Sequence, residues 1–120
     1  MKPQDVITIL KGDKMRFDKF TLKSQELIKN AQSLANQYNN QQIEPEHLLS
    51  VMLAEKESVA VSIIRKLGIS PETIARKTAK SVDKLPKVSG GAESYFSLRS
   101  RAVLEAAFSQ ASKMKDEYVS

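Results

Sequence analysis

The feature that most constrains the fold of this chain is an internal duplication. Residues 20–43 align without a gap onto residues 96–119, at a constant offset of 76 positions. The identical pairs are Phe20 and Phe96, Leu22 and Leu98, Ser24 and Ser100, Ala31 and Ala107, Ser33 and Ser109, and Ala35 and Ala111. A shared helical period alone would not also align the Phe before the helix, the hydroxyl residue at its start and the apolar residue beyond its end. The chain is therefore predicted to contain two structurally similar units.

Capping residues and apolar spacing predict a succession of helices. Thr21, Ser70 and Ser97 are suitable N-caps, because a hydroxyl oxygen accepts a hydrogen bond from a backbone N–H that the helix leaves free. Pro45 suits the first position of a helix, and Gly68 suits a helix end. The predicted helices cover about residues 22–38, 45–55, 59–67, 71–84 and 98–114. A β-type alternation is limited to the short run VITIL near the start, so the predicted class is all-α, a compact helical bundle.

The helix at residues 45–55 is predicted to be the most buried element, because large apolar side chains occur on all of its sides. Leu49 is expected to be buried in the core. His47, the only histidine, lies beside two leucines and is expected to be a packed or hydrogen-bonded structural residue. Glu44 and Glu46 could form a catalytic carboxylate pair, but carboxylates at a helix start more commonly interact with the helix dipole.

Several kinds of chemistry are excluded by the residues that are present. The chain has no cysteine, which rules out disulfides and cysteine-ligated zinc. Gly90 and Gly91 are followed by Ala92 and Glu93, so the Lys-Ser or Lys-Thr pair of a phosphate-binding loop is missing. We therefore expect a non-catalytic segment that binds neither ATP, Mg²⁺ nor another cofactor.

The formal charge of +5 is spread along the chain, since Lys and Arg alternate with acidic and polar residues. This pattern is typical of a solvated surface, and nucleic-acid binding needs a focused basic patch. A small all-α nucleic-acid-binding domain nevertheless stays open as the alternative. No run of roughly 20 apolar residues and no signal peptide are found, so a cytoplasmic domain that does not bind membranes is expected.

Five segments carry a resemblance to a known family. They are residues 15–21 (MRFDKFT), 31–35 (AQSLA), 43–49 (IEPEHLL), 67–69 (LGI) and 85–88 (LPKV). Together they resemble the amino-terminal domain of the Clp chaperones, which is built from two repeats of about four helices, and LPKV is similar to the ClpB disaggregase branch. The resemblance implies an extension at residues 1–14 and a Clp domain at residues 15–120. Within that domain it implies repeat one at 20–85, a flexible connector at 86–95 and an incomplete repeat two at 96–120.

The resemblance also implies a function and a set of partners. The domain would bind unfolded or aggregated polypeptide, or adaptor proteins, and transfer the substrate to the ATPase motor of a ClpB-type disaggregase. ATP and Mg²⁺ would belong to the ATPase modules of the parent chain, which is expected to be a cytoplasmic homohexamer.

Four residues are candidates for contact with substrate. The resemblance implies chaperone roles for Thr21, at the start of the first helix, and for Asp116, near the end of the equivalent helix in repeat two. Read from the residues alone, Thr21 is a helix cap and Asp116 a turn residue. Glu46 and Ser97 are added because they too lie at helix N-termini, where exposed donors could meet a ligand.

The incomplete second repeat predicts self-association. The last helix carries an apolar stripe that the missing helices would otherwise cover, consisting of Val103, Leu104, Phe108, Ala111 and Met114. Packing against repeat one can hide only part of such a stripe, so concentration-dependent oligomers are expected. An alternative is that residues 4–10 fold over the uncovered part.

Overall fold

The computed structural model describes residues 19–89, 93–115 and 117–120. Within these ranges the elements are α1 (Leu22–Gln37), β1 (Gln42–Ile43), α2 (Pro45–Ala54), α3 (Val59–Lys66), α4 (Pro71–Asp83), β2 (Tyr95–Phe96) and α5 (Leu98–Lys113). The all-α class is confirmed, and the two short strands were not predicted. The extension at 1–14, residues 90–92 of the connector and Asp116 lie outside the described residues.

The predicted capping residues begin and end the helices as expected. The hydroxyls of Thr21, Ser70 and Ser97 accept hydrogen bonds from backbone N–H groups three residues later, at 3.1–3.3 Å. Gly68 has φ 79°, the left-handed conformation that ends α3. Ser58 caps α3 in the same way, although it was not predicted to do so. A local hydrogen bond to a hydroxyl thus marks the start of α1, α3, α4 and α5.

Helix α2 lies at the centre of the bundle, in contact with α1, α3, α4 and α5. Its buried residues are His47, Leu48 and Leu53, whereas Leu49 remains partly exposed. Leu49 is therefore less buried than expected. Helix α2 packs between α1 and α4, and its buried positions are divided between two faces. No helix in the described ranges combines the length and the apolar character that crossing a bilayer requires.

Two short backbone pairings join the predicted repeats. Strand β1 pairs in parallel with β2, in the register Gln42 with Tyr95 and Ile43 with Phe96. A parallel bridge joins Phe20 to Val119. Phe20 corresponds to Phe96 and Ile43 to Val119 under the 76-residue offset, so the two pairings are equivalent with the repeats exchanged. The two pairings agree with the duplication that the sequence predicts.

The core is made by both repeats together. Its buried members are Phe20, Ile28, Ala31, Ala35, Ile43, Leu48, Phe96 and Leu104. Phe108 packs against this cluster with its ring edge-on to that of Phe20, at a centroid distance of 4.9 Å. Repeat one therefore covers the middle of the α5 stripe, while Val103 and Met114 stay exposed. Self-association through this stripe remains a prediction, and its uncovered area is smaller than the sequence suggested.

Candidate functional site

Thr21, Glu46 and Ser97, the three predicted site residues that the structure describes, lie at or beside the two places where the predicted repeats meet. The first junction consists of Phe20, Thr21 and Val119, and the second junction consists of Ile43, Phe96 and Ser97. At the first junction the Thr21 N–H donates to the Val119 carbonyl at 2.9 Å, and at the second the Ser97 N–H donates to the Ile43 carbonyl at 3.3 Å. Under the 76-residue offset Thr21 corresponds to Ser97, and Ile43 corresponds to Val119. The two hydrogen bonds therefore join equivalent residues of the predicted repeats. Thr21 and Ser97, chosen from sequence, therefore occupy equivalent positions in the fold.

At the first junction, Thr21 combines a capping role with a link between repeats. Its hydroxyl accepts from the Ser24 N–H and donates to the Ser24 Oγ, both at 3.2 Å. The Val119 N–H returns a hydrogen bond to the Lys19 carbonyl at 2.7 Å, and the Lys19 ammonium lies 5.6 Å from the centre of the Tyr118 ring. Asp116, outside the described residues, precedes this segment by only a few positions.

At the second junction, Ser97 is only 4% exposed, so its side chain positions the start of α5 and is not available to a ligand. Two residues later, Arg99 reaches across to repeat one and contacts Glu46 at 2.6 Å and Glu44 at 3.5 Å. Partial burial acts to raise the pKa of Glu46, but hydrogen bonds from Arg99 and from the backbone outweigh it and hold that pKa below its usual value. The two carboxylates therefore bind a guanidinium, and the ion pair ties α2 to α5.

Behind this ion pair, His47 has no solvent exposure and holds three segments together. Its Nδ1 accepts from the Glu44 N–H at 2.8 Å, so the ring proton must be on Nε2, which donates to the Asn40 Oδ1 at 2.9 Å. The Asn40 side-chain amide donates to the Pro86 carbonyl at 3.0 Å, and the Asn40 backbone carbonyl accepts from the Ser94 hydroxyl at 3.2 Å. The structural role predicted for His47 is confirmed, and through Asn40 it reaches both described parts of the connector.

This arrangement predicts that the stability of the chain depends on pH near neutrality. Burial lowers the pKa of His47, and the opposing effect of Glu44 and Glu46 is smaller. Because the folded-state pKa lies below the unfolded value of about 6.5, the free energy of unfolding should be constant above pH 6.5 and fall as the pH drops below it, by at most about 1.4 kcal/mol per pH unit. Urea unfolding between about pH 7.5 and 5.5, where carboxylates stay ionised, measures this slope.

The matched control is His47→Gln, which removes the only titrating imidazole. The variant should be less stable but should show little dependence on pH over the same interval. An unchanged pH dependence in His47→Gln would contradict the assignment.

A small pocket of about 180 Å³ lies beside the second junction. Its lining residues are Asn40, Gln41, Gln42, Glu44, Leu85, Pro86, Val88 and Tyr95. Hydrogen bonds close one wall, since the Val88 N–H donates to the Asn39 carbonyl at 2.8 Å and the Tyr95 N–H donates to the Gln41 carbonyl at 3.0 Å. The pocket has room for about one or two side chains of a bound peptide, which is less than a drug-sized ligand requires.

Sequence reasoning missed this pocket because its walls come from three distant segments. The only sequence signal was LPKV at residues 85–88. This segment carries part of the family resemblance, but nothing in it indicates a pocket. The described parts of the connector are also more ordered than the sequence suggested, because backbone hydrogen bonds hold Val88 and Tyr95. In the described ranges, no group of three or more His, Cys, Asp or Glu side chains is arranged to hold a metal ion.

Known proteins resemble this chain both in sequence and in fold. The family described as Clp repeat (R) N-terminal domain matches residues 19–120. The chaperone protein ClpB of Porphyromonas gingivalis and that of Bacteroides thetaiotaomicron are each 41% identical to the chain over 106 residues, which is 88% of this chain and 12% of each relative. The chain thus spans about one eighth of the length of these relatives.

Among solved structures, similar folds occur in the N-domains of ClpV proteins. The N-domain of ClpV from Vibrio cholerae has a TM-score of 0.75 at 16% identity, covering 99% of this chain and 65% of that one. A complex of a ClpV N-domain with a VipB peptide has a TM-score of 0.70 at 15% identity, with coverage of 99% and 66%. At these identities the likeness shows the fold alone. Together with the match over residues 19–120, it establishes that the chain belongs to the Clp repeat N-terminal domain family.

Proposed function

We propose that this chain is the substrate-recruiting domain of a ClpB-type protein disaggregase. The observation that carries the proposal is the 41% identity to ClpB proteins over 106 residues, against 15–19% for ClpV N-domains of similar fold. In this proposal the domain binds unfolded or aggregated polypeptide, or an adaptor protein, and the motor that hydrolyses ATP with Mg²⁺ lies in other parts of a hexameric cytoplasmic parent.

The geometry of the site supports weak and reversible binding. The pocket beside the second junction is small, and Tyr95 is the only aromatic residue among the described residues of its lining. Tight interfaces depend on large buried anchors, which such a pocket cannot accommodate. The affinity should therefore be low, as is required of a domain that must release its substrate to a motor. That a ClpV N-domain has been solved with a VipB peptide supports peptide binding by this fold.

The proposed substrate-binding residues are Thr21, Asp116 and Glu46, and Ser97 is proposed as a positioning residue. Thr21 would act through the first junction, whose backbone hydrogen bond adjoins the segment that follows Asp116. Glu46 would contribute charge at the second junction, where Arg99 already holds it in place. Ser97 would act by positioning α5, because its side chain is buried.

The test is a titration of the chain into a fluorescent, permanently unfolded polypeptide. We expect a dissociation constant on the order of 10–100 μM that changes little with salt, because apolar contacts are not screened. Thr21→Ala and Asp116→Ala should weaken binding several-fold, whereas Thr21→Ser keeps the capping hydroxyl and should bind normally. Glu105→Gln, a charge change at an exposed position of α5, is the matched control.

Circular dichroism of each variant separates loss of binding from loss of folding. Absence of binding at millimolar concentration would contradict the proposal. So would tighter binding to a single-stranded oligonucleotide with a steep dependence on salt, which would favour the nucleic-acid alternative.

A further inference from the structure

Helix α3 carries large apolar side chains on two sides, of which only one is covered. Val61 is buried, and α3 packs through this side on α2 and α4. On another side, Val59, Ile63 and Leu67 follow one another at intervals of four residues and are 74%, 53% and 68% exposed. Residues four apart on a helix are neighbours, so these three form one continuous row, which we call the α3 stripe. Ile69, 46% exposed, follows directly after it.

The α3 stripe differs from the scattered apolar residues of an ordinary protein surface. Single exposed leucines are normal, but a contiguous apolar row is typical of an interaction surface. Space is also available at its end, because a side chain built on Gly68 would meet no atom within 4 Å. The stripe is therefore open to a partner along α3 and past its C-terminus.

The spacing of the α3 stripe is self-complementary. Val59 and Leu67 lie at equal distances on either side of Ile63, so an antiparallel copy of α3 would place Ile63 against Ile63 and Val59 against Leu67. A two-fold symmetric contact requires a surface that matches itself in this way. The dipoles of the two helices would also run in opposite directions, which is the favourable arrangement.

The charges at the ends of α3 favour the same arrangement. Arg65 is already paired with Glu72 at 2.9 Å, and Glu55 with Lys23 at 2.6 Å. Lys66, in the last turn, and Lys56 and Glu57, before the Ser58 cap, have no ion pair within the part of the chain that the structure describes. In an antiparallel pair, Lys66 of each copy would lie near the N-terminal end of the other, where Glu57 is the acidic residue next to the cap.

We infer that the α3 stripe is a docking surface for a second copy of this chain, formed by antiparallel packing of the two α3 helices. The inference does not depend on the proposed function. A row of about 12 Å on an eight-residue helix buries less area than a stable dimer needs, so the contact is weak and transient. In an assembly that holds several copies together, a high local concentration would populate such a contact.

The test is sedimentation equilibrium of the 120-residue chain from about 20 μM to 2 mM, where a dissociation constant of hundreds of micromolar is expected. Ile63→Asp should raise the constant more than tenfold, and its unfolding midpoint should stay unchanged because Ile63 is exposed. Glu57→Lys and Lys66→Glu should each raise the constant about threefold, and the double variant should restore it. Leu22→Asp, a charge at an exposed leucine on α1, is the matched control.

Four outcomes would overturn the inference. One is a monomer over the whole concentration range. Another is association that Val103→Asp on α5 abolishes and Ile63→Asp does not, because self-association would then use α5. A third is a double charge variant whose dissociation constant for self-association is as high as that of the single variants. The last is weaker binding of unfolded polypeptide by Ile63→Asp with unchanged self-association, which would assign the stripe to substrate.

Discussion

Replacing Phe96 by alanine should lower the free energy of unfolding by about 3–5 kcal/mol, the usual cost of deleting a buried aromatic side chain. Phe96 is 2% exposed and is among the largest fully buried side chains of the described residues. It belongs to a core cluster to which both repeats contribute, and its backbone pairs with Ile43 across the second junction. The substitution therefore creates a cavity where the repeats are joined, with little opportunity for the surroundings to close it.

The matched control is Leu98→Ala, two residues further along. Leu98 is 76% exposed, so its truncation should change stability by no more than about 0.5 kcal/mol. Phe20, which occupies the equivalent position at the first junction and is equally buried, should respond to truncation like Phe96. Urea unfolding followed by circular dichroism measures all three variants. Equal losses for Phe96→Ala and Leu98→Ala would contradict the burial of Phe96.

Replacing His47 by alanine should cost about 3 kcal/mol or more. The substitution removes a buried ring and leaves the Asn40 Oδ1 and the Glu44 N–H without the partners that they have now, and each buried polar group left unpaired costs about 1–3 kcal/mol. The imidazole also closes an unusual capping box, in which a histidine at the third helical position takes the place of the customary Glu or Gln.

A double-mutant cycle with Asn40→Ala isolates the central hydrogen bond. We expect a coupling energy of about 1–2 kcal/mol between the two positions, since they share a buried network. Asn40 is 3% exposed and also binds the Pro86 carbonyl, so Asn40→Ala alone should be destabilising. Additive effects of the two substitutions would show that the hydrogen bond between His47 and Asn40 contributes little to stability.

The parts of the fold that could be predicted from sequence are those that depend on neighbouring residues. Thr21, Ser70 and Ser97 each bind a backbone N–H three residues away, and Gly68 needs a conformation that few other residues tolerate, so short segments contained the whole signal. The correspondence between Phe20 and Phe96 was also visible in the sequence, and both residues are buried in the same core cluster.

The parts that could not be predicted depend on residues far apart in the chain. Arg99 and Glu46 are 53 positions apart, and no local pattern indicates that they pair. The two-residue strands are too short for an alternating pattern, and the pocket exists only because Val88 and Tyr95 are bonded to the segment before β1. Ser97 was correctly identified as a cap, but its burial follows from the approach of repeat one, which sequence spacing does not reveal.

The bridge between Phe20 and Val119 joins two segments that are 99 positions apart in the chain. The Thr21 N–H donates to the Val119 carbonyl, and the Val119 N–H donates to the Lys19 carbonyl. A backbone amide that is hydrogen-bonded in this way exchanges its proton with solvent only when the bond opens. Hydrogen exchange at these two amides therefore reports how often the first junction separates while the rest of the bundle stays folded.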